Sequence, residues 1–240
     1  MKIGIMQPYF FPYIGYYALI SAVDIFVFYL DVQYIRRGWI NRNRILNRDL
    51  TEHWEYINIP VKKTSRESNI KDIEIFNEIK WDDELKKTLT LRYSRAPYFR
   101  STIDLLFGII DKGNKDKLHE FNTYSLKQVC AYLGIDTIFI NSTDLQYNRE
   151  LDAQGKLIDI AKRLNGHTYI NPIGGTELYS REEFQNGGLK LLFLKMDEFA
   201  YNQGKGDFVA NLSIIDVLMW NAIEDVQRIL KNFTLVEGAQ

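Results

Sequence analysis

The chain has little of what most reactive sites are built from. Its 240 residues include one cysteine, Cys130. No disulfide can form within the chain, so a reducing, cytoplasmic setting is expected. Cys130 lies in the helical pattern Leu126–Leu133 and reads as a buried structural thiol rather than a nucleophile. The three histidines, His53, His119 and His167, stand far apart, with no HxxxH or HxH spacing, which argues against a metal centre. There is no GxSxG elbow and no GxxxxGK[ST] phosphate loop. No apolar run reaches the roughly 20 residues that span a bilayer, and no basic-then-apolar leader precedes Lys2–Met6. Membrane insertion is therefore not expected. A dominant charge is missing too. Thirty Lys and Arg against 31 Asp and Glu leave a net charge of −1, which excludes a global basic field for nucleic acid but not a local basic patch.

Aromatic residues are plentiful, at 14%, with 15 Tyr and 14 Phe. Flat rings of this kind fill cores or stack against sugars and bases. The length and the 46% hydrophobic content suit one domain over residues 1–240.

Hydrophobic patterning places a buried strand at Lys2–Met6, an apolar helix at Tyr13–Ala22 and a second strand at Ile25–Leu30. Strand, helix and strand within 30 residues imply a parallel βαβ unit. Asp31–Leu50 reads as a polar, basic loop with some helix, Trp54–Val61 as a strand, and Lys62–Asn69 as a mobile flap. A strand at Ile70–Ile75 and helices at 82–93, 98–112 and 116–133 follow; the stretch 76–133 is a candidate helical subdomain. Beyond it come a strand at 136–141, a helix at 151–164, strands at 168–171 and 189–194 separated by a short helix at 180–185, and one last helix from Ser213 to about Asn232. The fold class is α/β, a Rossmann-like parallel sheet with helices on both faces and a helical insertion.

Four segments are candidates for a site, each with a structural alternative: a packed Pro-rich turn, a solvated basic loop, a plain tight turn and a structural loop, in that order. Gln7-Pro8-Tyr9 through Tyr16 joins the first strand to the first helix, where ligands of open α/β sheets bind. Free amides there favour anions, and Gly15 removes a side chain near the turn. Asp31–Ile45 follows the second strand. Arg36, Arg37, Arg42 and Arg44 offer forked donors to phosphate, Tyr34 and Trp39 flat faces, and Gln33, Asn41 and Asn43 paired polar groups. Gly174 and Gly175 permit close backbone approach after the strand at 168–171. Tyr201–Phe208 is a polar loop from which Gln203 or Asp207 reaches a ligand.

Taken together, Met6-Gln-Pro-Tyr-Phe-Phe-Pro-Tyr-Ile-Gly-Tyr16, Asp31-Val-Gln-Tyr34 and Gly38-Trp-Ile-Asn-Arg-Asn43 resemble the WbqC-like family. Ala96-Pro97, Gly174-Gly175 and Leu212-Ser213 with Asp216 fit it as well, so the resemblance covers nearly the whole chain. It implies a place in O-antigen and related polysaccharide gene clusters, and glycyl or acyl transfer to an amino sugar. Pro12–Tyr16 is also distantly similar to the HxGH motif of nucleotidylyltransferases and pantothenate synthetases, which implies a HUP-type sheet. Tyr13 and Tyr16 stand at the two histidine positions, and no KMSKS-like lysine motif follows. Tyrosine donates a hydrogen bond but carries no positive charge at neutral pH, so direct ATP activation is disfavoured.

The expected function is an amide-forming transferase on a nucleotide-activated amino sugar. Asp31 is assigned as general base, Tyr13, Tyr16 and Asn43 as donors to the oxyanion, and Arg36, Arg42 and Arg44 as phosphate ligands. No cofactor is called for beyond an activated donor, either an acyl thioester or an aminoacyl-tRNA; a homodimer is left open. The alternatives are an ATP-using nucleotidylyltransferase or ligase, and a non-catalytic nucleotide-sugar binding protein.

Overall fold

The computed structural model describes residues 1–237. Strands β1 (Lys2–Met6) and β2 (Ile25–Phe28) flank helix α1 (Ile14–Ala22), the expected βαβ unit. β2 reads Ile-Phe-Val-Phe and is buried along its whole length, as a parallel strand covered on both faces must be. α1 is apolar all round and buried from Ile14 to Ile20, which makes it a core helix rather than a surface one.

The main sheet is completed by β5 (Ile138–Asn141), β6 (Thr168–Pro172), β7 (Lys190–Met196) and β8 (Phe233–Val236), in the order β5-β2-β1-β6-β7-β8. All neighbours are parallel except β7 and β8. The chain runs outward from β1 through β2 to β5, then crosses to the other side of β1 for β6 and β7. This is the Rossmann-like order, and it opens a crevice at the carboxyl ends of β1 and β6.

Two apolar layers cover the sheet. On one face α5 (Ala153–Arg163) and α6 (Arg181–Asn186) pack on Ile3, Ile5, Val27, Tyr169 and Phe193. On the other lie α1, α2 (Trp81–Tyr93), α3 (Phe99–Lys112), α4 (Leu118–Tyr132), α7 (Ile214–Trp220) and α8 (Ile223–Leu230). Helices α2 to α4 share one hydrophobic cluster with α1 and with Phe10 and Phe11. Among the described residues, no helix is long and apolar enough to cross a membrane.

Three elements differ from the sequence expectation. Within 31–50 there is a strand, β3 (Arg42–Leu46), paired antiparallel with β4 (Trp54–Asn58) as a separate two-stranded sheet. Its alternation is hidden because the inward residue Asn43 is polar. Ile70–Ile75 is a single 3-10 turn (Ile70–Asp72) followed by isolated bridges, since Ile70, Ile73 and Ile75 are all buried at a spacing that fits no regular strand. The last helix is broken into α7 and α8. The Asn221 side chain donates to the Val217 carbonyl at 2.8 Å and ends α7, and β8 follows α8. The 62–69 segment is tethered: Gln33 donates to the Arg66 carbonyl at 2.7 Å and Arg36 to that of Thr64.

Candidate functional site

The segment after β1 is held by its carbonyl groups. Tyr16 donates to Gln7 O at 2.7 Å, and Asn122 to Pro8 O at 2.9 Å. The Asn43 amide donates to both Phe10 O and Phe11 O, at 3.0 and 2.8 Å. Ser213 donates to Phe11 O at 2.6 Å, and the Ile214 backbone N–H to Pro12 O at 2.8 Å. Phe11 needs such support, because its φ of 38° lies in the left-handed region that a bulky L residue avoids. Strain of this kind costs about 1–3 kcal/mol. Six hydrogen bonds worth about 1 kcal/mol each outweigh it. The result is a rigid turn that presents Tyr9, Pro12 and Tyr13 on one side.

That side faces a cavity of about 510 Å³. It lies over the carboxyl ends of β6 and β7, lined by Pro172, Ile173 and Gly174 and by Leu194, Lys195 and Met196. Gly15, in the first turn of α1, closes one end. A Cβ there would sit 2.4 Å from the Tyr13 ring and 3.2 Å from Met196, so only glycine lets that ring lie flat in the wall.

Trp39, Asn43 and Arg44 form the second wall. On β3, Asn43 and Ile45 point inward while Arg42 and Arg44 point outward, following the two-residue period of a strand. The Arg44 guanidinium stacks between Trp39 and Trp54, 5.4 and 5.0 Å from their ring centres. Arg42 lies 4.3 Å over Tyr56. Contacts of this kind contribute about 0.5–2 kcal/mol each and fix the guanidinium plane. Arg44 also donates to Asn211 O at 3.3 Å, and its Nε has no partner among the described residues.

The third wall is Phe199, Tyr201 and Phe208, three rings in mutual contact. Behind it lies a buried polar cluster. Asp216 is fully buried in α7 and accepts from Tyr201 at 2.7 Å, Gln203 at 2.8 Å and Tyr93 at 2.9 Å. Burial pushes its carboxyl up to about 6, against the opposing pull of those three donors and the nearby Arg48 charge. Burial and the Asp216 charge together push the Tyr201 hydroxyl far up. The three guanidinium nitrogens of Arg48 are shielded and have no hydrogen-bond partner among the described residues.

Of the residues singled out from sequence, Tyr9, Tyr13, Gly15, Trp39, Asn43, Arg44 and Gly174 meet at this cavity. The others do not. Pro8 is buried beneath the turn. Gln7 takes part through its carbonyl, which accepts from Tyr16; the Tyr16 hydroxyl is committed to that bond and its ring to the core. Asn43 is at the cavity, but both its amide hydrogens are committed to the turn. Gly175 is buried, with Asn171 Nδ2 1.9 Å from where a Cβ would lie. Gln203 braces the 201–209 loop through Val209 and Asp216. Arg36, Asn41 and Arg42 line a separate cleft, and Gln33 tethers the flap. Asp31 stands at the end of β2, outside the cavity. Its carboxylate accepts from Arg149 Nε at 2.8 Å and from Ser142. Burial raises its pKa, but the hydrogen bonds from Ser142, Tyr147 and Arg149 outweigh this and hold it below the ordinary carboxylate value.

Lys195, Phe199, Tyr201, Phe208 and Asp216 complete the site without having been assigned to it from sequence. The start of a last helix at Ser213 was legible, but not that Asp216 turns inward to Tyr201 and Tyr93, 15 and 123 residues away.

The sheet is of the Rossmann-like α/β class, and an aromatic cavity with Arg44 and Lys195 in its walls lies at the carboxyl ends of its strands. The chain belongs to the WbqC-like protein family, whose sequence model matches residues 7–228. It is similar to the uncharacterized protein Rv1507c of Mycobacterium tuberculosis, with 28% identity over 221 residues covering 90% of this chain and 92% of that one. No solved structure matches it.

Proposed function

We propose that the protein serves surface-polysaccharide assembly by forming an amide on the amine of a nucleotide-activated amino sugar held in the switch-point cavity. The observation that carries this reading is the pairing of Tyr201 with Asp216. No Asp, Glu or His lines the cavity among the described residues, so the tyrosine hydroxyl is the wall's connection to a proton-accepting carboxylate.

The sugar and base stack on Tyr9, Tyr13 and Trp39, and the diphosphate meets Arg44 and Lys195. The amine nitrogen attacks the carbonyl carbon of the activated donor. As the C–N bond forms, the amine proton passes to the Tyr201 oxygen and the tyrosine proton passes to Asp216. The oxyanion accepts from Tyr13 and Arg44. Its collapse breaks the bond to the leaving thiolate or alkoxide, which takes up a proton in turn. Asp216 titrating at about 6 is ionised at neutral pH and ready to accept.

A donor that arrives already activated fits Tyr16 better than ATP does. The hydroxyl at that position is buried against the Gln7 carbonyl, so it has no proton to offer a phosphate.

The test is mass spectrometry of a thymidine-diphosphate 4-amino-4,6-dideoxyhexose incubated with the protein. Separate tubes supply an acyl thioester, glycyl-tRNA, or glycine with ATP. A mass gain matching an amide identifies the donor. Tight binding of the nucleotide-sugar with no product in any tube would replace the transferase by a binding protein.

A further inference from the structure

We propose that the basic cleft beside the cavity is a second ligand site, which holds the clustered phosphates of a nucleotide-like handle on the activated donor. The word donor rests on the transferase reading; the phosphate site does not.

The cleft has a volume of about 520 Å³ and is lined by Arg36, Arg37, Arg42, Lys62 and Lys63, with no Asp or Glu in its walls. Lys62 is neutralised by Glu74 at 2.9 Å. The other four cations form no ion pair among the described residues. In a chain of net charge −1, this is a local reversal of sign in a concave surface, which focuses the field on an anion.

The donors are held in place but not used up. Arg36 donates to the Thr64 carbonyl and Arg42 to the Arg37 carbonyl. A guanidinium has five N–H donors, so one bond to a carbonyl leaves others on each arginine. Tyr34 and Asn41 bond to each other at 2.8 Å, so the wall does not compete for the cations.

Arg37 supplies the second observation. Its φ is 60°, where glycine is at ease and an L side chain is strained. The side chain is exposed and makes no ion pair, so stability gives no reason for arginine there. An anion in the cleft does.

The volume suits a nucleotide and its phosphates. Arg42 faces the cleft and Arg44 the cavity, two residues apart on one face of β3, a spacing of about 7 Å. A ligand anchored in the cleft thus needs only a short arm to reach the cavity. The phosphate-rich handle of an acyl thioester has this form.

The experiment is calorimetric titration of the full chain with adenosine 3′,5′-bisphosphate and with pyrophosphate, with and without the nucleotide-sugar. One equivalent should bind in both cases, more weakly at high salt. Arg37→Gly and Lys63→Glu should each weaken binding on the order of tenfold. Arg37→Gly should leave the unfolding temperature unchanged or higher, since it relieves backbone strain. Three results would overturn the assignment: no binding of either probe at millimolar concentration; binding that both variants leave within twofold; or a probe that displaces the nucleotide-sugar. An RNA acceptor-stem hairpin that binds more tightly than the bisphosphate, and loses affinity in the same variants, would also overturn it in favour of RNA. Bisphosphate binding without any amide product would retire the transferase and leave the cleft assignment standing.

Discussion

The Tyr201 hydroxyl donates to the buried Asp216 carboxylate at 2.7 Å, and of the two only the tyrosine reaches the cavity. The pair is separated by fifteen positions in sequence and joined by the fold of the 201–213 loop over α7. Its consequences are measurable in rate and in stability.

For rate, Tyr201→Phe and Asp216→Asn should each lower kcat by about a hundredfold or more, the usual scale of lost general base catalysis. The pH profile separates chemistry from packing. Turnover of the native protein should rise with pH through about 6, as Asp216 ionises. Asp216→Asn should lack that limb. An unchanged limb in this variant would assign the titration to another group.

For stability the sign is opposite. The folded-state value of Asp216 is raised from 3.8 to about 6, so the folded protein holds this proton more tightly than the unfolded chain. Its contribution is full below about pH 4 and is lost as pH rises to about 6, on the order of 2–3 kcal/mol. The paired carboxylates elsewhere act in the reverse direction, so the readout is the difference between native and Asp216→Asn urea midpoints. Relative to the variant, the native protein should lose stability between pH 4 and 6. A flat difference would mean that Asp216 titrates as an ordinary carboxyl.

Asp31→Asn should leave turnover within twofold and weaken the fold. Its partner Arg149 is half exposed, so losing the ion pair should cost roughly 1–2 kcal/mol at neutral pH. Because the Asp31 value is held low, that contribution is present at neutral pH and disappears as the solution is acidified through the folded-state value. Loss of turnover with normal nucleotide-sugar binding would return the base to Asp31.

Gly15→Ala and Gly174→Ala form a controlled pair. Both glycines line the cavity, but a Cβ at Gly15 would strike the Tyr13 ring and one at Gly174 meets nothing within 4 Å. Gly15→Ala should therefore displace Tyr13 and weaken nucleotide-sugar binding about tenfold, an overpacking cost of about 1–3 kcal/mol. Gly174→Ala should leave the unfolding temperature unchanged. Binding titrations and thermal melts of the two variants check this.

What the sequence determined by itself was the alternation of buried strands and helices, because apolar period and turn residues act locally. Lys2–Met6, Ile25–Phe28 and the apolar α1 were legible for this reason, and so was the turn after β1 that forms one wall of the cavity. The family was legible in Gln7–Tyr16 and Asp31–Asn43. What only the tertiary structure decided was which side chains come together and which polar groups are already bonded. Asn43 looked like a free amide, but it is committed to Phe10 and Phe11, 33 and 32 residues away. Asp31 looked like a base at a strand end, but Arg149 and Ser142 come from over 100 residues away to occupy it. The arginines of one basic segment divide between two pockets, Arg44 stacked against Trp39 and Trp54 at the cavity and Arg42 over Tyr56 at the cleft. Hydrogen-bond partners and burial are properties of the packed chain, and they set which polar groups remain free to act.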